Sequence, residues 1–163
     1  TSSAASDVYK RQPSGRLIED TNQDIIGLKA SSLKFMDLDN DGDQDLIASG
    51  WSVIENNLVT KVYQNEPLGT YVELSVDGLH AVAYGDIDAV DIDHDGDLDI
   101  SISGVDSVSN FATRVHSLSG KVYKNEGSFN FTELLDIPGA RILRFADLNG
   151  DLKPDIILSL IHI

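Results

Sequence analysis

The chain has 163 residues, a formal net charge of −15 and no cysteine. This length suits one ordinary domain, and the lack of cysteine excludes disulfide bonds. Lys and Arg are not clustered as a nucleic-acid-binding face requires. No apolar run approaches the roughly 18–20 residues of a membrane-spanning helix. We therefore expect neither a nucleic-acid partner nor a membrane span.

The two ends of the chain are related to each other at the level of codons. Residues 7–12 can be back-translated as GAT GTG TAT AAG AGA CAG, and the reverse complement of that string encodes residues 158–163. The string resembles the transposon end used in preparing sequencing libraries. We therefore expect residues 1–12 and 158–163 to be adapter-derived tails, and residues 13–157 to be an internal fragment of an environmental gene.

Internal repeats organise the rest of the chain. The segment KVYQNE at residues 61–66 recurs as KVYKNE at 121–126, and YVEL at 71–74 recurs as FTEL at 131–134. Each unit reads as an apolar strand, an Asp-rich loop, a short strand, a variable loop, a Val-Tyr strand, a turn and an aromatic strand. The repeat therefore predicts several copies of one four-stranded unit.

The predicted units follow one another along the chain. Residues 13–32 hold the last strand of a preceding blade, at 17–19, and a linker. Blade A, residues 33–74, has predicted strands at 33–36, 46–49, 59–64 and 71–74. Blade B, residues 75–134, has predicted strands at 81–84, 100–103, part of 112–123 and 129–134. Blade C begins within residues 135–157, with predicted strands at 141–145 and 156–157.

Four antiparallel strands in each unit are typical of a β-propeller blade. The sequence therefore predicts an all-β fold, a propeller fragment with two four-stranded antiparallel blades and parts of two more. Alternation of Ile100 and Ile102 with serines predicts strands with one buried face. An open β-solenoid or a stack of small sandwiches is the alternative architecture.

Two loops carry an aspartate at every second position and a glycine at the sixth, at residues 37–45 and 91–99. Such close like charges repel each other, and a calcium ion would relieve this by taking about 6–8 oxygen ligands. Positions 1, 3, 5 and 9 would offer carboxylates and position 7 a backbone carbonyl, while the glycine allows the sharp turn. A solvated acidic turn is the alternative. The predicted ligand residues are Asp37, Asp39, Asp41, Asp43 and Asp45 in the first loop, and Asp91, Asp93, Asp95, Asp97 and Asp99 in the second.

A third loop, at residues 147–155, is a weaker copy in which Leu152 replaces the glycine. It is a candidate for a third calcium site. Its predicted ligand residues are Asp147, Asn149, Asp151, Lys153 (through its carbonyl at position 7) and Asp155. EF-hands are excluded, because position 12 of the first two loops is Ala48 or Ile102 instead of glutamate, and predicted strands follow both loops.

Other chemistry is weakly represented. No close spacing relates His80, His94, His116 and His162, so no zinc site is predicted. A cation would keep the loop carboxylates ionised and unable to donate protons, and no catalytic residue is predicted. The repeated aromatic residues read as core between units. The exception is Trp51, which follows Gly50 in a predicted variable loop and is a candidate for contact with a sugar.

The pattern D-x-D-x-D-G-D-x-D, followed by an apolar strand, V-Y-x-N-E and an aromatic-x-E strand, resembles the bacterial VCBS/FG-GAP-type repeats. These repeats are related to the propeller of integrin alpha subunits. The resemblance covers nearly all of residues 13–157. It implies calcium in the loops between first and second strands, and a secreted or cell-surface protein active in adhesion, carbohydrate contact or partner binding. The Phe-Gly and Gly-Ala-Pro pieces of the integrin repeat are absent, so integrin ligand recognition is not implied.

Blade B departs from the pattern just before its loop. Residues 85–88 read as an inserted or duplicated loop start, so Asp86 and Asp88 are alternative ligands or residues of a solvated edge.

We expect a calcium-binding, non-catalytic module for extracellular adhesion, with a protein or carbohydrate ligand contacting the variable loops at 52–58 and 104–112. The alternative is an accessory propeller domain of an exported hydrolytic enzyme. A dockerin-like module, which would be helical, is a third hypothesis.

Overall fold

The computed structural model describes residues 9–20, 23–67, 69–107 and 117–160. These residues form strands and turns and contain no helix that could cross a membrane. The strands are β1 (Tyr9–Arg11), β2 (Leu17–Glu19), β3 (Leu28–Met36), β4 (Asp45–Ser52), β5 (Asn57–Glu66), β6 (Thr70–Leu74), β7 (Ala83–Val90), β8 (Asp99–Ser107), β9 (Ser117–Asn125), β10 (Phe131–Pro138), β11 (Ala140–Ala146) and β12 (Asp155–Leu160).

The strands pair in the order in which they follow along the chain. β3 to β6 form one four-stranded antiparallel sheet and β7 to β10 form a second, while β1 pairs with β2 and β11 with β12. The predicted all-β fold is therefore confirmed, and the helical dockerin-like hypothesis is wrong. Within the described residues no barrel closes, which is consistent with part of a propeller.

Several strands are longer than the sequence pattern predicted. β3 begins at Leu28 instead of residue 33, and β10 continues to Pro138 instead of ending at 134. Each contains a register shift, between Lys29 and Ser32 in β3 and between Glu133 and Leu135 in β10. A bulge adds a residue and interrupts the alternation, which explains why the pattern ended early. The predicted strand segment 112–116, with His116, lies outside the described residues, as does His162.

The start of blade B differs most from the prediction. β7 runs from Ala83 to Val90, so Asp86 and Asp88 lie within a strand and not in the Asp-rich loop. A register shift between Ala83 and Asp86 interrupts the alternation of side chains, so the sequence pattern did not predict the full strand. Both carboxylates form ion pairs with Arg144, and neither belongs to the acidic clusters described below.

The central strands are buried on both faces, which corrects the expectation of one buried face. Ile100 and Ser101 are 0% and 1% exposed. In β4, Leu46 and Ala48 pack with Tyr63, whereas Ile47 joins a core cluster that includes residues of the second sheet. The neighbouring sheet thus covers the serine face, as stacking of successive units requires.

Hydrogen bonds of buried serines link neighbouring units. The Ser49 hydroxyl donates to the carbonyl of Val82 at 2.9 Å and accepts from its N–H at 3.0 Å. The Ser103 hydroxyl accepts from the N–H of Leu143 at 3.1 Å. Burying a hydroxyl without such a partner costs free energy, so the hydrogen bonds of Ser49 and Ser103 favour this stacking of consecutive units, whereas the Ser101 hydroxyl is buried without a partner.

A line of alternating charge joins the first strands of the units. The Asp88 carboxylate pairs with Lys34 at 3.2 Å and with Arg144 at 3.4 Å. Burial opposes ionisation of Asp88, but the N–H of Phe145 and the Lys34 ammonium outweigh it and hold its pKa below the usual value.

The repeated aromatic residues have different environments. Tyr63 and Tyr123 are 0% and 2% exposed, which confirms their place in the core. Trp51 lies in β4, opposite Lys29 and Leu58, and not in a loop as predicted. Gly50, which precedes Trp51, packs closely against Ser31: a Cβ added to Gly50 would lie 2.9 Å from the Ser31 Cβ. This tight packing explains the glycine.

Strand β1 and the end of β12 lie within the ranges expected to be adapter-derived. The adapter origin stays a prediction, as do the predicted unit boundaries.

Candidate metal centre

Each Asp-rich loop joins the first and second strands of its unit. The first loop lies between β3 and β4, the second between β7 and β8, and the third between β11 and β12. In the first two loops the glycine at position 6 has positive φ, 94° at Gly42 and 97° at Gly96. The residue at position 4 is left-handed too, with φ of 60° at Asn40 and 63° at His94. Asn tolerates this conformation well, and both turns wrap the loop around its centre.

The aspartate at position 1 holds the loop backbone in this shape. In the first loop Asp37 Oδ2 accepts the N–H of Gly42 at 3.1 Å. In the second, Asp91 Oδ2 accepts the N–H of Gly96 at 3.0 Å. The two loops therefore share one conformation and not merely one composition.

The aspartate at position 9 is the buried anchor of each loop. Asp45 is 1% exposed, and its carboxylate accepts the N–H groups of Leu38 and Asn65, both at 2.9 Å. Asp99 is 0% exposed and accepts the N–H groups of Ile92 and Asn125, both at 2.8 Å. Burial raises the pKa of Asp45 and of Asp99, although these hydrogen bonds partly oppose the shift. A nearby cation would favour the charged form.

The first loop brings three carboxylates together. One oxygen from each of Asp37, Asp39 and Asp45 lies within 4.8 Å of the others. Oδ1 of Asp37 and Oδ1 of Asp39 are buried and have no hydrogen-bond partner. Buried oxygens of this kind are costly when unpaired, and they are the donors that a hard cation takes. The residues of this loop therefore fit a metal ion.

The second loop repeats the cluster with Asp91, Asp93 and Asp99, again with one oxygen from each within 4.8 Å. Its environment differs, because the Lys124 ammonium pairs with Asp93 and lies 3.1 Å from Asp95 Oδ2. In the first loop the corresponding contact is neutral, since Gln64 Nε2 donates to Asp39 Oδ2 at 2.8 Å. Both acidic clusters are able to hold a metal ion.

The carboxylates at positions 5 and 7 lie outside the two clusters, while the backbone carbonyl predicted as the ligand at position 7 stays a prediction. Asp41 and Asp43 are exposed, and Asp41 Oδ1 accepts the N–H of Asp43 at 2.9 Å. In the second loop Asp95 Oδ1 accepts the N–H of Asp97 at 2.9 Å. Asp97 Oδ1 accepts a hydrogen bond from Asn40 Nδ2 at 2.6 Å, which ties the two loops together. These side chains thus shape and connect the loops.

The third loop has a backbone like that of the other two loops, but it lacks their cluster of carboxylates. Asp147 Oδ2 accepts the N–H of Leu152 at 2.9 Å, which lowers the pKa of Asp147, and Leu152 takes φ of 67° in place of glycine. The other predicted ligands of this loop are Asn149, Asp151, Lys153 and Asp155. Among the described residues, no three acidic groups of this loop lie together as in the other two loops.

The sequence reasoning missed Gln64 and Lys124, which contact the two clusters. Both follow the repeated Val-Tyr pair and differ between KVYQNE and KVYKNE. That difference in an otherwise repeated segment was the signal that could have identified them.

A cleft of about 400 Å³ opens beside the first loop, between the two sheets. Its lining residues are Asp39, Gln64, Leu74, Ser75, Val76, Ser128 and Phe129. One of the clustered carboxylates therefore faces a space that is open to solvent.

Consecutive four-stranded antiparallel sheets, each with an acidic loop after its first strand, define a repeat protein of the propeller-blade class. Residues 37–102 match the FG-GAP-like repeat family, so the chain carries an FG-GAP-like repeat and the resemblance is confirmed over this stretch. A comparison with curated proteins gives no match. FG-GAP-like repeats are binding modules that are generally non-catalytic.

Proposed function

We propose that this chain is a calcium-binding, non-catalytic repeat module that serves adhesion or ligand binding outside the cell. The observation that carries the calcium assignment is the pair of buried, unpartnered oxygens, Asp37 Oδ1 and Asp39 Oδ1, beside the buried Asp45.

The donor atoms favour calcium over other metals. The two clusters offer carboxylate oxygens, with neither histidine nor cysteine among their members. Such oxygen sites suit Ca²⁺ or Mg²⁺, whereas zinc and copper prefer nitrogen and sulfur ligands. A nine-residue loop rich in carboxylates suits the 6–8 oxygens that calcium takes at its longer distances, while Mg²⁺ demands a tight octahedron and retains its waters.

The bound ion would supply positive charge between crowded carboxylates. Within the chain, each loop is already joined to the end of its Val-Tyr strand: Asp45 accepts the N–H of Asn65, and Asp99 accepts the N–H of Asn125. Calcium at the loop would therefore reinforce the register between the strands of one sheet. Its role in this proposal is structural.

Calorimetric titration with calcium, using the wild-type chain and two variants, tests the assignment. Asp39→Asn removes a clustered charge and should weaken binding at the first loop by roughly tenfold or more. Asp43→Asn is the matched control, because Asp43 is exposed, lies outside the cluster and is expected to bind through its backbone carbonyl. It should change the affinity much less.

Two outcomes would contradict the assignment. One is a wild-type chain that gives no heat with calcium and whose melting temperature does not change. The other is an Asp43→Asn variant as impaired as Asp39→Asn, which would indicate a diffuse attraction to acidic surface instead of a defined site.

Two features support binding of a partner, a protein or a carbohydrate, at the cell surface or after secretion. The turn between β4 and β5 exposes Val53 and Ile54, which are 45% and 69% exposed. Apolar side chains at a turn can contact a ligand without disturbing the core. The second feature is the pair of acidic clusters. Even weak calcium sites would be filled outside the cell, since extracellular modules work at dissociation constants of about 10⁻⁴–10⁻³ M.

The same module in an exported hydrolytic enzyme is the second candidate function, and in that case the cleft beside Asp39 is where a substrate would contact the module. Sequencing the gene on both sides of residues 13–157 separates the two. A catalytic domain in the same reading frame supports the enzyme, and further repeats with a surface anchor support adhesion.

A further inference from the structure

Gln64 and Lys124 occupy the same place in the two sheets. Tyr63 pairs with Leu46 in the first sheet and Tyr123 pairs with Ile100 in the second, and each of the two residues follows its tyrosine. The next residue in each case donates its N–H to the buried aspartate at position 9. The side chains of Gln64 and Lys124 therefore approach their loops from equivalent positions.

The two side chains have different effects on their loops. Gln64 donates one hydrogen bond, to Asp39, and leaves buried oxygens of Asp37 and Asp39 unpartnered. Lys124 brings a full positive charge to Asp93 and Asp95, and among the described residues no carboxylate oxygen of the second loop is buried and unpartnered. The first loop thus lacks a cation that the second loop already has.

A cation and the Lys124 ammonium would compete for the same carboxylates. Asp93 is at position 3 of the second loop, as Asp39 is in the first loop, and it is a member of the second cluster. To bind a divalent ion there, the chain must displace the ammonium or hold it next to a charge of the same sign, and both weaken binding. Lys124 is 24% exposed and also lies 3.9 Å from Glu126, so an alternative partner is within reach.

We propose that Lys124 is a built-in counter-ion that makes the second loop the weaker calcium site and preserves its shape when calcium is low, whereas Gln64 leaves the first loop as the tighter site. This inference rests on the proposed calcium-binding function. It makes the residue after the Val-Tyr pair the determinant of calcium affinity in each repeat.

Exchange of the two residues in chains that keep one of the two acidic clusters intact tests this proposal, with the third loop, at residues 147–155, unchanged in both chains. Asp37→Asn with Asp39→Asn leaves the second loop as the site to be measured, and Asp91→Asn with Asp93→Asn leaves the first. With calcium as the titrant in calorimetry, Lys124→Gln should tighten the second loop about tenfold, and Gln64→Lys should weaken the first loop about tenfold.

Lys121→Gln is the matched control, because Lys121 lies on the same strand but pairs with Glu133 and Asp136. It removes the same charge and should change the affinity of the second loop less than twofold. Circular dichroism verifies the β fold of every variant.

The outcomes distinguish this inference from the proposed function. If both loops bind calcium and neither exchange changes the affinity, the counter-ion role is wrong while the calcium sites stand. If Lys121→Gln acts as strongly as Lys124→Gln, the effect is one of net charge and the specific role is wrong. If neither loop binds calcium in its single-loop chain, both proposals fail.

Discussion

Asn125 donates a hydrogen bond from Nδ2 to the backbone carbonyl oxygen of Leu38 at 2.8 Å, across the boundary between the two four-stranded sheets. Asn125 is 0% exposed, and its own N–H binds Asp99 of the second loop. Its side-chain oxygen accepts the N–H of Gly127 at 3.1 Å. One buried residue therefore connects the second loop, the following turn and the first loop.

Asn125→Ala should lower the free energy of unfolding by about 1–3 kcal/mol, since it leaves the buried carbonyl of Leu38 without its donor. Urea denaturation followed by circular dichroism measures this loss. Calcium should be held at a saturating concentration, so that a change in metal affinity does not contribute.

Asn65→Ala is the control, because Asn65 is the corresponding residue of the first sheet. Its Oδ1 is buried without a partner, and Pro67, which has no N–H, stands where Gly127 stands in the second sheet. Its replacement should be clearly less damaging. Equal losses for the two variants would show that the contact with Leu38 contributes nothing particular.

The Asp-rich loops and the repeated strands were predictable because their signals are local. Alternate aspartates with a central glycine specify a tight turn within nine residues, and the Val-Tyr segments are repeated almost unchanged. The all-β fold followed from these repeats. The register shift near Gly85 was not predictable, because a bulge removes the alternation by which a strand is recognised.

The contacts between units were hidden for a different reason. Nothing in the local sequence of Asn125 points to Leu38, and nothing near Ser49 points to Val82, because these partners meet only after two sheets stack. Lys124 meets Asp93 within one unit, but this contact also depends on the pairing of two strands, β8 with β9, and not on local sequence. The spacing of the aspartates predicted the candidate ligands, but it did not predict which side chains surround them.

His80 should make stability depend on pH. Burial lowers the pKa of His80 below its usual 6.5, against the opposing effect of Asp106, and its Nε2 is buried without a hydrogen bond, 3.9 Å from Asp106 Oδ2. The unfolded chain therefore binds a proton more readily than the folded one. The contribution of neutral His80 to the free energy of unfolding is complete above about pH 6.5. It is lost as pH falls from there toward the pKa of His80 in the folded chain, and the free energy changes by at most about 1.4 kcal/mol per pH unit.

Urea denaturation at a series of pH values between 7.5 and 5.5, in saturating calcium, measures this slope. His80→Gln should flatten it. His94→Asn is the matched control, because His94 is exposed and the first loop already carries asparagine at this position. A slope that survives in His80→Gln but disappears in His94→Asn would assign the effect to the loop and contradict the prediction.

Leu152 should be a point of strain that a glycine would relieve. It has φ of 67° and is 80% exposed, so its side chain adds little packing to offset the unfavourable backbone. The left-handed conformation costs a non-glycine residue roughly 1–2 kcal/mol, and the greater freedom of glycine in the unfolded chain offsets up to about 1 kcal/mol of that. Leu152→Gly should therefore raise the free energy of unfolding by about 0.5–1 kcal/mol in urea denaturation.

The reciprocal change, Gly96→Leu, places the same side chain at the same position of the second loop, where φ is 97°. The two loops share the hydrogen bond from position 6 to the aspartate at position 1, so the same backbone strain should appear, and the chain should lose about 0.5–1 kcal/mol after the offset from the unfolded state. A neutral Leu152→Gly together with a tolerated Gly96→Leu would show that the loop relaxes at this position.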